Sequence, residues 1–228
     1  MAMTPKNYLA RRNRYSYPTV GLRRYPGGYK HRTFPSIATM ERTLRKFLMS
    51  PSAADVQLGY LSVVYWGHYS GKAGIAQPGR AMSKVDLALA GLTRLRFRPL
   101  AVAITVRSAH RLIRLKRCGD AVWGLTALPQ LGFAFASKVC AFLSPGRCGV
   151  IDSVIAGRYK RFGFAMTKSG KKYYVATKAS NKATYSTYCR FLAREASRLN
   201  TYGRPLRWVD RDGRKYAWRA VDVERALY

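Results

Sequence analysis

The sequence predicts a mainly helical protein with a basic segment at its N-terminus. Apolar residues recur at spacings of three and four through most of the chain after residue 35, as on one face of an α-helix. Several of these segments start at serine or proline, which favour the first positions of helices. Residues 1–35 lack a helical period. We therefore expect a basic, flexible arm over residues 1–35 and a helical domain over residues 36–228.

The N-terminal arm alternates basic and aromatic residues. Residues 1–35 contain eight lysines and arginines, five tyrosines and no acidic residue. Cationic side chains contact phosphates and tyrosine rings stack on bases, so this composition suits nucleic acid binding. The same composition is typical of a flexible, solvated arm without a specific target. The sequence leaves both interpretations open.

Four segments in the first half of the domain have clear helix starts. "SIATMERTLRKFLM" begins with Ser36 as its N-cap, "SAADVQLGYLSVVYWGHYSG" with Ser52, and "SKVDLALAGLTRLRF" with Ser83. "PLAVAITVRSAHRLIRLKRCGD" begins with Pro99, and its basic last turn suits the negative end of the helix dipole. These segments predict four consecutive helices.

The second half of the domain adds shorter elements. "DAVWGLTAL" predicts a short helix, and "SNKATYSTYCRFLAREASRL" predicts a long one. Asp212 and Gly213 form a turn signal, and a closing helix starts near Trp218. "KKYYVATK" is compatible with a short strand pair or with an extended linker.

The charge of the chain restricts its partners. The 42 basic residues outnumber the 10 acidic ones and give a net charge of +32, which suits DNA, RNA or an anionic membrane. No run of about 18 uncharged apolar residues marks a membrane span, and the N-terminus lacks the apolar core of a signal peptide. We therefore expect an intracellular, monomeric protein that binds DNA or RNA and no membrane.

The cysteines and histidines show no metal-binding spacing. No C-x-x-C pair is present, and the three histidines lie far apart. Zinc and iron–sulfur sites usually have more closely spaced ligands. We therefore expect reduced thiols, no metal and no cofactor. The four cysteines are Cys118, Cys140, Cys148 and Cys189.

The stretch "LGFAFASKVCAFLSPGRCGVIDSVIAGRY" contains the most informative pattern. "LPQLG" predicts a tight turn between two helices, with Gly132 allowing a close approach or a positive φ. A helix from Gly132 to about Leu143 then carries Lys138. Asp152 follows 14 residues later, at the position of an N-cap for the next helix. Residues 121–160 therefore predict a helix-hairpin-helix whose lysine and aspartate share one cleft.

A lysine and an aspartate in one dry cleft form a known catalytic combination. Removing the lysine amine from water lowers its pKa and makes it a nucleophile that can attack a sugar carbon and form a Schiff base. The carboxylate can stabilise positive charge on the sugar or assist proton transfer. Alternatively, Lys138 reaches solvent or a phosphate, and Asp152 only caps a helix.

These motifs resemble those of a known enzyme family. "LPQLGFAFASKVCAFL", "VIDSVIA" and "WRAVDVERALY", with "GYLSVVYWGHYSGKAG" and "SKVDLALAGL" before them, are similar to the bacterial 8-oxoguanine DNA glycosylase OGG-fold family. This family belongs to the helix-hairpin-helix DNA glycosylase superfamily. The resemblance covers the chain from about residue 36 to its end. It implies a mostly helical protein that extrudes a damaged base from duplex DNA.

The resemblance also implies roles for Lys138 and Asp152. Lys138 is the implied Schiff-base amine and Asp152 the implied catalytic carboxylate, so the enzyme would remove the base and then nick the strand as an abasic-site lyase. Two departures are visible. Gln130 replaces the first glycine of the superfamily's L-P-G-hydrophobic-G hairpin, and Lys138 follows Gly132 by six residues instead of two, as in the archaeal type.

Further candidate residues belong to two groups. Aromatic side chains that could line a base pocket are Trp66, His68, Trp123, Phe135 and Phe142, although each of them could instead serve the core or the surface. Groups that could bind DNA phosphates are Gln130 and Gly132 in the hairpin and the cations Lys72, Arg147, Arg158 and Lys160, for which solvated charge is the alternative.

Two other functions remain compatible with the sequence. A non-enzymatic DNA-binding protein with the same fold explains the charge equally well. An RNA-binding or ribosome-associated protein fits the arginines and tyrosines of residues 1–35. The sequence does not identify the excised base, which could be oxidised guanine or another modified base.

Overall fold

A computed structural model describes residues 3–70, 75–96, 98–203 and 205–228 of the protein. Within these ranges the chain forms ten α-helices and three two-stranded antiparallel sheets, so the prediction of a mainly helical protein is confirmed. The helices are α1 Pro5–Arg14, α2 Ile37–Leu48, α3 Ala53–Tyr69, α4 Pro78–Arg94, α5 Pro99–Arg114, α6 Cys118–Leu125, α7 Phe133–Leu143, α8 Ser153–Arg158, α9 Asn181–Thr201 and α10 Ala220–Leu227.

The strands pair as three hairpins. They are β1 Val20–Tyr25 with β2 Gly28–Thr33, β3 Met166–Ser169 with β4 Lys172–Val175, and β5 Trp208–Val209 with β6 Lys215–Tyr216. The segment "KKYYVATK" therefore contains one strand of a hairpin. The third hairpin turns at Gly213, whose φ of 75° is easily adopted by glycine.

Three of the four predicted helix starts are confirmed. The hydroxyls of Ser36 and Ser52 accept hydrogen bonds from N–H groups in the first turns of α2 and α3, and α5 begins at Pro99. The fourth prediction is wrong, because α4 begins at Pro78 instead of after Ser83. Proline at the first helical position lacks only an N–H that has no partner within a helix. Ser83 therefore lies inside the helix and donates to a carbonyl one turn earlier.

Helix α3 is the centre of the fold. Its side chains from Leu58 to Trp66 are buried on every side, and it packs against α2, α4, α5, α7 and β1. A helix that is apolar all round is stable only inside a protein. Gly59 permits the contact with α2, because a Cβ there would lie 3.0 Å from the Leu48 backbone nitrogen. In the described part of the chain, no helix is long and apolar enough to cross a membrane.

The prediction of a flexible N-terminal arm is wrong. Residues 5–14 form α1, which packs on α10, and β1 packs on α3. Tyr8 and Leu22 are buried in the same core as the helical body. The basic composition of this segment suggested solvent exposure, but one of its arginines is neutralised inside the protein.

That arginine, Arg12, belongs to a buried charge network. Its guanidinium donates two hydrogen bonds to Asp222, at 3.1 and 3.2 Å, and is 2% exposed. Arg219 contacts both Asp222, at 2.7 Å, and Glu41, at 2.8 Å, while Arg225 contacts Glu41 at 2.6 Å. Burial alone would raise the pKa of Asp222, but the surrounding guanidinium groups lower it below its ordinary value. The network thus joins α1, α2 and α10.

We expect Asp222→Asn to lower the free energy of unfolding by about 3–5 kcal/mol, because it leaves buried guanidinium groups without their shared counter-charge. Denaturant unfolding at neutral pH measures this change. Asp86→Asn is the matched control on the exposed face of α4 and should change stability by less than about 0.5 kcal/mol. Equal stabilities of the two variants would contradict the proposed role of the network.

Candidate active site

The segment predicted as a hairpin between two helices consists of α6, α7 and the turn between them. Helix α6 ends at Leu125, and α7 begins after Gly132, which occupies the N-cap position. The Tyr60 hydroxyl of α3 donates to the Pro129 carbonyl in the turn. Gly91 of α4 also contacts Pro129, since a Cβ at residue 91 would lie 2.7 Å from the proline ring. Both contacts fix the hairpin on the helical core.

The turn uses its residues differently from the sequence prediction. Gln130 has a φ of 61°, in the left-handed region, whereas Gly132 has a φ of −61°. Neither predicted reason for a glycine at residue 132 is therefore met, because its φ is negative and a Cβ there would make only an ordinary contact, 3.5 Å from the Thr177 hydroxyl. A residue with a side chain is disfavoured in the left-handed region by about 1–2 kcal/mol, so Gln130 is held there by the surrounding turn.

The start of α7 is partly engaged by the protein itself. The Phe133 N–H donates to the Thr177 hydroxyl at 3.1 Å, so this group is not free for a phosphate. Beside the turn lies a cavity of about 340 Å³, lined by Pro129, Gln130 and residues of α4 that include Arg94. Arg94 therefore places a positive charge beside the turn.

Helix α7 carries Lys138 into the protein interior. The side chain is 9% exposed, and its amine lies 4.6 Å from the centre of the Phe135 ring and 5.1 Å from that of Trp66. Burial lowers the pKa of Lys138, while Asp152 and Glu224 act in the opposite direction. In the described part of the chain, no carboxylate forms a direct ion pair with this amine. The lysine therefore has the environment of a nucleophilic amine.

Asp152 is the N-cap of α8, as predicted. One carboxylate oxygen accepts hydrogen bonds from the N–H groups of Val154 and Ile155, both at 2.9 Å. These bonds fix the carboxyl group at the edge of the buried site, where its charge acts on Lys138. The structure thus brings the predicted lysine and aspartate into one electrostatic environment.

Glu224 is a third ionisable group of the site, and sequence reasoning missed it. The side chain projects from α10 and is 3% exposed. Burial raises its pKa to about 8, with Asp152 raising it further and Arg225 and Lys138 lowering it. The only sequence signal was an acid within the apolar helix "AVDVERAL" of a chain that has just ten acids. The site therefore consists of one amine and two carboxyl groups.

The predicted aromatic residues differ in how deeply their side chains are buried. Phe135 and His68 are half-buried and stack with a ring distance of 4.3 Å. Trp66 and Phe142 are buried and pack edge to face at 5.2 Å. Trp123 is exposed on α6 and, within the described residues, contacts none of these rings.

His68 is neutral at physiological pH. Burial lowers its pKa to about 4, and the nearby positive charge of Lys138 contributes to the shift. Gly67, next to His68 in the chain, leaves space for the side chains of Phe135 and Lys138. A Cβ at residue 67 would lie 2.4 Å from the Phe135 ring and 3.1 Å from the Lys138 amine. Helix α3 therefore needs glycine at this position to admit the lysine.

The N-terminal segment also reaches the site. The Tyr17 ring packs on Trp66 at 4.7 Å, and its hydroxyl donates to the Trp66 carbonyl at 3.4 Å. A cleft of about 410 Å³ begins beside this tyrosine, and arginines and aromatic rings line it. The lining residues are Arg11, Arg14, Tyr15, Ser16, Tyr17, Arg158, Arg225 and Tyr228. Sequence reasoning had assigned the residues of this segment to a separate arm.

The predicted phosphate-binding cations have different environments. Arg147 donates to the carbonyls of Ile113 and Arg114 at the end of α5, so part of its guanidinium is used in the fold. Arg158 lines the 410 Å³ cleft and also donates to the Leu227 carbonyl at 3.0 Å. Lys160 is exposed in the 3₁₀-helix Lys160–Phe162. Lys72 lies outside the described residues.

Comparison with protein-family models, with curated proteins and with solved structures finds no match to this chain. The chemistry of the site is therefore inferred from its own residues. Its defining feature is a desolvated amine whose pKa is influenced by Asp152 and Glu224, together with a cleft of arginines and tyrosines that begins at Tyr17.

We expect the burial of Glu224 to make the protein less stable as the pH rises from about 4.5 to 8. The folded state holds this proton up to a pKa of about 8, whereas an ordinary glutamate releases it near 4.5. The folded state therefore binds more protons in this window, and stability falls by at most about 1.4 kcal/mol per pH unit.

Glu224→Gln removes this titration. We expect denaturant unfolding at a series of pH values to show wild type losing stability relative to the Gln variant between pH 5 and 8. A constant difference between the two proteins across this range would show that Glu224 is not buried as described. The control is Asp86→Asn, which removes an exposed carboxyl group on α4.

Proposed function

We propose that this protein is a DNA glycosylase that removes a damaged or modified base from duplex DNA and then acts as an abasic-site lyase. The buried Lys138 amine, with its lowered pKa beside Asp152, is the observation on which this proposal depends. A lysine is seldom buried without a direct ion pair, because desolvation of its charged form is costly. Its position in an aromatic pocket next to a basic cleft supports a catalytic role.

The proposed reaction begins when an extruded nucleotide enters the site. Lys138 in its neutral form attacks the anomeric carbon of the sugar, and the bond to the base breaks. The base leaves with the bonding electron pair and takes up a proton, while the lysine nitrogen loses one. Asp152 stabilises the positive charge that develops on the sugar. Opening of the sugar ring then gives the Schiff base with Lys138.

The lyase step follows from this Schiff base. Loss of a proton from the neighbouring sugar carbon expels the 3′ phosphate by β-elimination and breaks the strand. Water then hydrolyses the remaining Schiff base and restores the amine. Burial raises the pKa of Glu224 to about 8, so this carboxyl group is largely protonated at neutral pH.

Duplex DNA is the proposed polyanion. The net charge of +32 provides a general attraction to phosphates. The 410 Å³ cleft places Arg11, Arg14 and Arg158 beside tyrosine rings, a combination that suits a phosphate backbone and an unstacked base. The half-buried rings of Phe135 and His68, which stack on each other, are the aromatic groups that we expect to contact such a base. A screen of duplexes that carry different modified bases would identify the base that is removed.

A DNA-binding protein without enzymatic activity is the second candidate. The observation that favours it is the charge of +32, which requires no catalytic group. This protein would bind DNA with an affinity that falls steeply with salt, and Lys138→Gln would leave that binding unchanged. The two candidates are therefore separated by covalent chemistry at Lys138 and not by affinity.

Borohydride reduction should trap a covalent adduct between the wild-type protein and a duplex that contains an abasic site or a base it excises. We expect Lys138→Gln to abolish the adduct, because glutamine cannot form a Schiff base. Asp152→Asn should reduce adduct formation at least about 100-fold while preserving the cap of α8, since asparagine is an equally good N-cap. Denaturing gel electrophoresis measures the trapped product.

The matched control for this experiment is Lys171→Gln, which removes a lysine that is exposed on the β3–β4 hairpin. This variant should form as much adduct as wild type. An adduct that persists in Lys138→Gln, or the absence of adduct from wild type on every tested duplex, would contradict the proposed lyase chemistry.

Gly67→Ala tests the space around the lysine. Its Cβ would displace the Phe135 ring and the Lys138 amine, so we expect adduct formation to slow about 10–100-fold with little change in DNA binding. Gly124→Ala adds the same methyl group to a helix with no atom within 4 Å of it and should leave the rate unchanged. Equal rates for the two variants would argue against a catalytic pocket at Gly67.

A further inference from the structure

All four cysteines of the chain meet in one buried region away from the Lys138 amine's aromatic pocket. Cys118 opens α6, Cys148 lies in the loop after α7, and Cys189 lies in the middle of α9. Their three sulfur atoms lie within 4.8 Å of one another, and those of Cys118 and Cys148 are 3.8 Å apart. Cys140 of α7 is fully buried in the same region and lies outside this group of three sulfur atoms.

We propose that Cys118, Cys148 and Cys189 bind a zinc ion as thiolates, with Cys140 as the fourth ligand. Zinc bound by cysteines is tetrahedral with Zn–S distances of about 2.3 Å, which places neighbouring sulfur atoms about 3.8 Å apart. The sulfur atoms of Cys118 and Cys148 are separated by this distance. The ligands come from α6, α7, α9 and one loop, so only the folded chain brings them together.

The surroundings favour thiolates at this position. Cys118 is the first residue of α6, where the positive end of the helix dipole stabilises an anion. Arg147 is the residue directly before Cys148 in the chain, so a guanidinium group adjoins the loop that carries this ligand. A zinc ion with four thiolates carries two negative charges, and a chain with a net charge of +32 offsets them.

Other arrangements of the four sulfur atoms fit less well. A disulfide between Cys118 and Cys148 would require their sulfur atoms to approach to about 2.05 Å. It would also leave the Cys189 thiol next to the disulfide without a bonding partner. An iron–sulfur cluster needs space for its inorganic core between the thiolates, whereas these sulfur atoms are almost in contact. Neutral packed thiols are the remaining alternative, and metal content distinguishes them from a zinc site.

The proposed ion would hold in place the loop that leads from Cys148 to Asp152. Cys148 precedes Asp152 by four residues, and the intervening backbone is held by α9: the hydroxyls of Tyr185 and Tyr188 donate to the carbonyls of Gly149 and Val150, at 2.8 and 3.2 Å. Zinc would tie the same loop to α6 and α9. Its role would be structural, because four protein ligands leave no open position for a substrate.

Elemental analysis of the full-length protein, purified under reducing conditions, is the direct test. We expect one zinc ion per chain after dialysis against metal-free buffer. Cobalt(II), bound in place of zinc, should give the intense near-ultraviolet absorption of thiolate coordination and the visible bands of a tetrahedral ion. Protein without bound zinc, even after refolding in excess zinc, would overturn the proposal, as would retention of copper alone.

Substitutions then identify the ligands. We expect Cys189→Ala to lose the metal ion. Cys140→Ala should still bind one cobalt ion, but its near-ultraviolet thiolate absorption should fall by about one quarter, because one of four thiolates is missing. Unchanged metal content and spectrum in Cys189→Ala would overturn the proposed ligand set. If this variant does not fold, the metal content of wild type still decides the proposal. This site is independent of the glycosylase chemistry, since wild-type zinc content and Lys138 adduct formation are measured separately.

Discussion

The removal of the Lys138 amine from water is the constraint on which the rest of the site depends. An ammonium group is strongly hydrated, so its burial beside Trp66 and Phe135 must be offset by favourable contacts. The aromatic faces supply part of this compensation, and the negative charge of Asp152 supplies more. Gly67 provides the space. The amine thus remains less basic than a surface lysine and close to a carboxylate.

The few acidic residues explain how a chain of such high positive charge folds. Four of the ten acids are buried, and two of these, Asp222 and Glu41, hold three arginines between α1, α2 and α10. A third, Glu224, lies behind the candidate site. Ten acids cannot neutralise 42 basic residues, so most of the positive charge has no acidic counterpart. The same distribution therefore stabilises the fold and leaves a surface suited to a polyanion.

Local sequence signals predicted the elements that depend on local chemistry. Helix caps at Ser36 and Ser52 and the N-cap carboxylate of Asp152 follow from spacing and residue type, and the structure confirms them. The periodicity also located α7, and with it Lys138. The start of α4 was missed because Pro78 is as good a helix start as Ser83, and the intervening residues have no clear period.

Contacts between distant parts of the chain were not accessible to the same reasoning. Arg12 meets Asp222 across 210 residues, so residues 1–35 resembled a solvated arm although their apolar side chains complete the core. Glu224 enters the site from the last helix for the same reason. The cysteines have no metal-binding spacing along the chain, yet the fold brings three of them within 4.8 Å. Each case requires knowledge of which helices pack together.

The pKa of Lys138 in the free protein is the measurement that tests this account most directly. Selective isotope labelling of lysine and NMR titration would follow each amine, and Lys138→Arg would assign the signal. We predict that Lys138 releases its proton below the ordinary value of 10.5, before the surface lysines do. Titration together with the surface lysines, or above them, would contradict the account, because the amine would then be a solvated or ion-paired cation and not a nucleophile.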